Sequence, residues 1–113
     1  MEKESRMGFY IEGAVCRCFG IEMSELRTSK RLDRQFTDCL HFIFYYRHYL
    51  EGLSRRQITE IYGRKLRNIS YAFSKIKDGI QTQPYYIEMH RKIMSAMIMG
   101  TFENPECPRE KKE

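Results

Sequence analysis

At 113 residues the chain has room for one domain and little for two, and with 42% hydrophobic residues it can bury a core, which excludes disorder along its whole length. No apolar run is long enough to span a bilayer, and the first residues mix both charges without the apolar stretch of a signal peptide, so a cytoplasmic protein with no membrane partner is expected. The net charge of +5 is uneven: between Arg27 and Lys77 twelve basic residues face four acidic ones, a local balance of +8, while the remainder nets −3. A basic middle between mildly acidic ends is the charge footprint of a nucleic-acid-binding face.

Apolar residues recur at helical spacing almost throughout, β-branched residues are sparse and no proline precedes Pro84, so the expected fold is all-α, with five to six helices. The first helix is expected over about residues 5–18, with an apolar stripe of Phe9, Ala14 (or Ile11), Val15 and Cys18, ended by Gly20. A single turn at Ser24, Glu25 and Leu26 leads into a basic loop over residues 27–31. The longest helix, about residues 32–50, carries Phe36, Cys39, Leu40, Ile43, Tyr46 and Leu50 on one face. Phe42, Phe44 and Tyr45 widen that face, so this helix is expected at the centre.

Gly52 ends it. Ser54 followed by Gln57 forms a capping-box pattern that starts a short helix, with Ile58, Ile61 and Tyr62 inward and Gly63 as the break. A fourth helix runs from Leu66 or Arg67 to about Lys77 on Ile69, Ala72, Phe73 and Ile76, closed by Asp78 and Gly79. A fifth, about residues 84–99, packs Tyr86, Met89, Ile93, Met94 and Met97, and residues 100–113 read as a flexible charged tail. The domain is thus expected over residues 1–99, with a helix-turn-helix at about residues 54–77.

If Ile69, Ala72, Phe73 and Ile76 point inward, the opposite face of that helix presents Arg67, Asn68, Ser70, Tyr71, Ser74 and Lys75. Arginine forks onto guanine and asparagine onto adenine in the major groove. The N-terminal end of a recognition helix does the base reading, and Arg64, Lys65, Arg67 and Asn68 lie there. Arg55 and Arg56 open the preceding helix, where its positive terminus favours phosphate. Double-stranded DNA is therefore the expected partner.

Cys16, Cys18, Cys39 and Cys107 match no common zinc spacing and read as free thiols, and His41, His48 and His90 are scattered. No catalytic set has a local signature and acids are thin in the basic middle, so neither an enzyme, a metal, a cofactor nor a small-molecule substrate is expected.

From about Cys18 to Arg91 the chain resembles the C-terminal DNA-binding domain of the bacterial replication initiator DnaA, a Trp-repressor-like helix-turn-helix. The resemblance is carried in order by Phe19, Gly20, Ile21; Glu25, Leu26; Ser29, Lys30, Arg31; Ser54, Ile58, Tyr62, Gly63; and Gly63, Arg64, Ile69, Ala72, Lys75, Ile76. It implies that Lys30, Arg31 and Arg34 contact the minor groove or phosphate. It also implies that Arg64, Lys65, Arg67 and Asn68, flanked by Ser70 and Tyr71, enter the major groove. Where that family carries Asp-His-Thr-Thr this chain has Lys65, Leu66, Arg67 and Asn68, and it lacks the phosphate-binding loop of an ATPase module. Reading of the initiator's own box is therefore not expected; an accessory or regulatory role in replication or transcription is. The alternative is a protein–protein interaction module on the same fold, pairing with a partner or a second copy through Met94, Met97, Ile98 and Met99 of the last helix.

Overall fold

The computed structural model describes residues 6–28 and 33–102. These form six helices and no strand: α1 (Arg6–Phe19), α2 (Glu25–Thr28), α3 (Arg34–Tyr49), α4 (Arg55–Tyr62), α5 (Leu66–Thr82) and α6 (Pro84–Phe102). The protein is all-α. No helix among the described residues is long and apolar enough to cross a membrane.

Local chemistry sets most helix ends. The Asp33 side chain accepts from the Phe36 N–H at 3.2 Å and caps α3, so that helix starts two residues later than the apolar rhythm suggests. Ser54 and Gln57 form the full capping box on α4. Gly63 ends α4 in the left-handed conformation (φ 65°, ψ 36°), where a Cβ would be strained.

Helix α3 is the spine, packed against α1, α4 and α5, while α6 closes on α1 and α5. Phe42, fully buried, stands 5.9 Å from each of the rings of Phe19 on α1, Tyr46 on its own helix and Tyr86 on α6. The inward residues of α5, Ile69, Ala72, Phe73 and Ile76, are all buried as their spacing requires. So are Ile58 and Tyr62 on α4, with Ile61 half-buried.

Five expectations are corrected. On α1, Phe9 is 65% exposed and Cys18 only half-buried; the buried face is Gly8, Ile11, Glu12, Val15 and Phe19, with Ala14 and Cys16 beside it. That face includes a glutamate, which a hydropathy pattern reads as outward. On α3, Leu50 is exposed because it caps the helix beyond its packed face. Gly79 does not end α5, which continues to Thr82. Gly79 is buried against α6, and a Cβ there would stand 2.8 Å from the Tyr86 ring, so it serves close approach of the two helices, not termination. Finally, α6 continues through Gly100 to Phe102, since one glycine costs a helix only about 1 kcal/mol. Of the expected apolar patch on α6, Met97 is buried in the core and Met94 packs against it; only Ile98 is exposed, and the Met99 side chain lies outside the described residues.

Arg47 on α3 has no exposed side chain. Its Nε donates to Glu51 Oε1 at 2.7 Å and its Nη2 to Glu51 Oε2 at 3.1 Å, a bidentate pair one turn along α3. Its Nη1 donates to the Tyr62 hydroxyl of α4 at 3.1 Å and reaches Glu12 Oε2 of α1 at 3.4 Å; Tyr62 in turn donates to Glu12. Gly8 leaves the room the guanidinium occupies. Burial pulls the Arg47 pKa down, but Glu51 and Tyr62 push it up by more, so the cation is held above its ordinary range. Burial, and then Glu12, raise the Tyr62 phenol, which stays protonated as the donor.

Arg47→Met should destabilise the fold by about 3–5 kcal/mol in urea unfolding, because it removes the buried cation that Glu12, Glu51 and Tyr62 share. Gly79→Ala should lower stability by about 1–3 kcal/mol in the same assay, the collision with Tyr86 outweighing alanine's higher helix propensity.

Candidate nucleic-acid interface

Helices α4 and α5 are joined by residues 63–65, a turn of helix-turn-helix length. After Gly63, Lys65 takes the N-cap position of α5 in an extended conformation (φ −77°, ψ 148°) and makes no side-chain cap. The first turn of α5 therefore keeps amide N–H groups and a positive dipole end unmatched by any side-chain acceptor, an environment suited to an anion.

The outward face of α5 begins in that turn. Lys65, Leu66, Arg67, Asn68, Tyr71 and Ser74 are exposed; Arg64, Ser70 and Lys75 are half-buried. No acidic residue occurs between Gly63 and Lys77, a stretch with Arg64, Lys65, Arg67, Lys75 and Lys77. Arg56 and Arg55 are exposed at the start of α4. The Arg55 guanidinium sits over the Phe73 ring at 5.3 Å, which anchors it beside α5. His48 stacks on Phe73 at 4.5 Å and donates from Nδ1 to the Leu53 carbonyl at 2.7 Å, holding the link between α3 and α4 in place.

A second polar cluster backs this face from inside. Asp38 on α3 is fully buried. Its Oδ1 accepts from the Tyr86 hydroxyl at 3.2 Å and from Lys75 Nζ at 3.5 Å, and its Oδ2 pairs with Arg34 Nε at 3.5 Å. Arg34 and Lys75, far apart in sequence, are thus gathered at one carboxylate. Arg34 remains 74% exposed and its guanidinium lies over Tyr85 at 5.5 Å. Lys75 is the more committed of the two: its ammonium also lies 6.0 Å from the centroids of Tyr71 and Tyr86. Desolvation lowers its pKa, but Tyr86 and Asp38 raise it by more.

The expected contacts therefore fall into three groups. Arg64, Lys65, Arg67, Asn68, Ser70 and Tyr71 lie at the N-terminal end of α5, Arg55 and Arg56 at the start of α4, and Arg34 with Lys75 at Asp38. Lys30 and Arg31 lie outside the described residues. Among the described residues no group of three or more metal-ligating side chains is assembled; Cys16 and Cys39 are buried free thiols and Cys18 a half-buried one.

The inner frame of the site, Asp38 and His41, carries no motif in the sequence. The Arg34 to Asp38 spacing of one helical turn was the available signal. His41 stands behind Tyr71, ring centroids 5.9 Å apart and planes at 80°, and its Nδ1 has no hydrogen-bond partner. Burial, with the nearby Lys75 and Arg64 charges, lowers its pKa to about 4 against a weaker opposing pull from Asp38.

That depressed pKa has a defined sign. Between pH 6.5 and about 4 the unfolded chain takes up a proton that folded His41 refuses. Its stabilising effect is complete above pH 6.5 and lost as pH falls to about 4. The loss should reach at most about 3 kcal/mol, read as a falling urea midpoint, and His41→Phe should flatten the curve in that window. Burial shifts His90 the same way, so a smaller slope should remain.

No family model, curated protein or solved structure matches the chain.

Proposed function

We propose that the chain binds double-stranded DNA sequence-specifically, with α5 entering the major groove as the second helix of a helix-turn-helix. The observation that carries this reading is the outward face of α5, where Arg67, Asn68, Tyr71 and Ser74 stand exposed behind a tight glycine turn, on a stretch with five cations and no acid. Arg64, Lys65, Arg67 and Arg56 make no ion pair among the described residues, so their charge is available to phosphate or base edges. Ser70 borders the reading end and Arg55 approaches the flanking backbone. Arg34 and Lys75, positioned by Asp38, face the other flank, and the resemblance to the replication-initiator domain implies that Lys30, Arg31 and Arg34 are minor-groove or phosphate contacts. On this reading the chain acts as an accessory or regulatory factor in replication or transcription.

Arg67→Ala and Asn68→Ala should each weaken binding to a selected duplex by about 1–3 kcal/mol and relax base preference at one position. Lys30→Ala should weaken binding to all duplexes alike and reduce the salt slope by about one. Salt-titrated fluorescence anisotropy separates the two behaviours. Equal duplex affinity of the wild type and an Arg64, Lys65 and Arg67 triple alanine variant would sink the reading.

A further inference from the structure

We infer that Tyr71 reads a thymine, by seating that base's 5-methyl group against its exposed ring; the inference rests on the DNA reading above. Tyr71 lies one helical turn after Arg67 and three residues before Ser74, on the stripe of α5 farthest from the core. It is 61% exposed, the most exposed aromatic residue on α4 or α5. Its ring offers an apolar contact surface on an otherwise polar, charged face, with the hydroxyl left as a polar handle.

The ring is also held still. His41 meets it edge-on at 5.9 Å from beneath. The Lys75 ammonium stands 6.0 Å from its centroid and is itself tied to the buried Asp38 carboxylate at 3.5 Å. A side chain already braced on two sides loses little rotamer freedom on contact, so its apolar surface converts more fully into affinity. Lys75 makes both contacts at once, and Tyr71 still stays largely open to solvent. The thymine methyl is the one apolar group that base pairs present in the major groove, and aromatic side chains contact it there. Leu66, 54% exposed at the first position of α5, adds apolar surface near the same end. Arg67 and Asn68 supply forks for guanine and adenine, so the three together distinguish the groove pattern of a mixed site.

The test uses the duplex recovered by binding-site selection with the full chain. Each thymine is replaced in turn by deoxyuridine, which removes the methyl and keeps the base-pairing edge. Affinity is measured by anisotropy for wild type, Tyr71→Phe and Tyr71→Ala, with circular dichroism confirming that all three are folded. The expected result is one position at which deoxyuridine weakens the wild type about three- to tenfold, the scale of one buried methyl with its packing. Tyr71→Phe keeps that sensitivity and Tyr71→Ala loses it. Wild-type duplex binding that no deoxyuridine weakens, or a Tyr71→Ala protein as sensitive as the wild type, overturns the inference and leaves DNA reading standing. Tighter binding to the single strand than to the duplex, dependent on Tyr71, overturns it in favour of base stacking. Failure of the wild type to bind any duplex overturns both.

Discussion

The fold turns on one buried cation. Arg47 has no contact with solvent, and its guanidinium is satisfied by Glu12 of α1, the Tyr62 phenol of α4 and Glu51 just beyond the end of α3. A buried ion pair contributes little net stability compared with apolar residues of the same shape, because removing both charges from water costs several kcal/mol each. It penalises misassembly heavily, however: any packing that separates Arg47 from Glu12, Glu51 or Tyr62 leaves an uncompensated charge or donor inside. The arrangement therefore fixes how α1 and α4 sit on α3. Tyr62 immediately precedes Gly63, so its seat beside Arg47 and Phe44 also decides where the α4–α5 turn lies. The exposed end of α5 thus starts from a turn whose preceding residue is tied to the Arg47 network.

Asp38 plays the complementary part. It lies about two and a half turns before Arg47 on the same helix, equally buried and of opposite sign. Arg47 joins α3 to α1 and α4; Asp38 joins it to α5 and α6 through Lys75 and Tyr86. The two charged locks act on different neighbours of one spine, with the Phe42 aromatic cluster between them. Electrostatically the candidate interface is therefore not uniform. Its flank at Arg34 and Lys75 is partly neutralised and held in place, whereas Arg64, Lys65 and Arg67 form no ion pair with an acid among the described residues. Such a division suits a face whose flank positions and whose end reads, since pre-placed cations steer and register a duplex while unpaired ones make new bonds.

Much of this was legible in the chain because it is local. The capping box of Ser54 and Gln57, the break at Gly63 and the inward set Ile69, Ala72, Phe73 and Ile76 depend on residues within two turns of each other, and all three stand where spacing alone puts them. The outward set on α5 follows by subtraction. The phase of α1 was not legible: a pattern that sorts residues by hydropathy places Glu12 outside and Phe9 inside, and the protein does the reverse. Gly79 likewise looks like a helix end until Tyr86 of α6 is seen to occupy the space its missing side chain leaves.

An all-α chain, the helix–glycine–helix unit and the acid-free basic face of its second helix follow from local order along the chain, since propensity, capping and periodicity act over a few residues. That Glu12, Asp38 and Arg47 go inside, that Lys75 pairs with a buried carboxylate, and that Tyr71 stands exposed beside His41 and Lys75 are set by packing between distant segments. Each of those outcomes depends on partners dozens of residues away, and burial of a charge becomes possible only once its counter-charge has been brought to it.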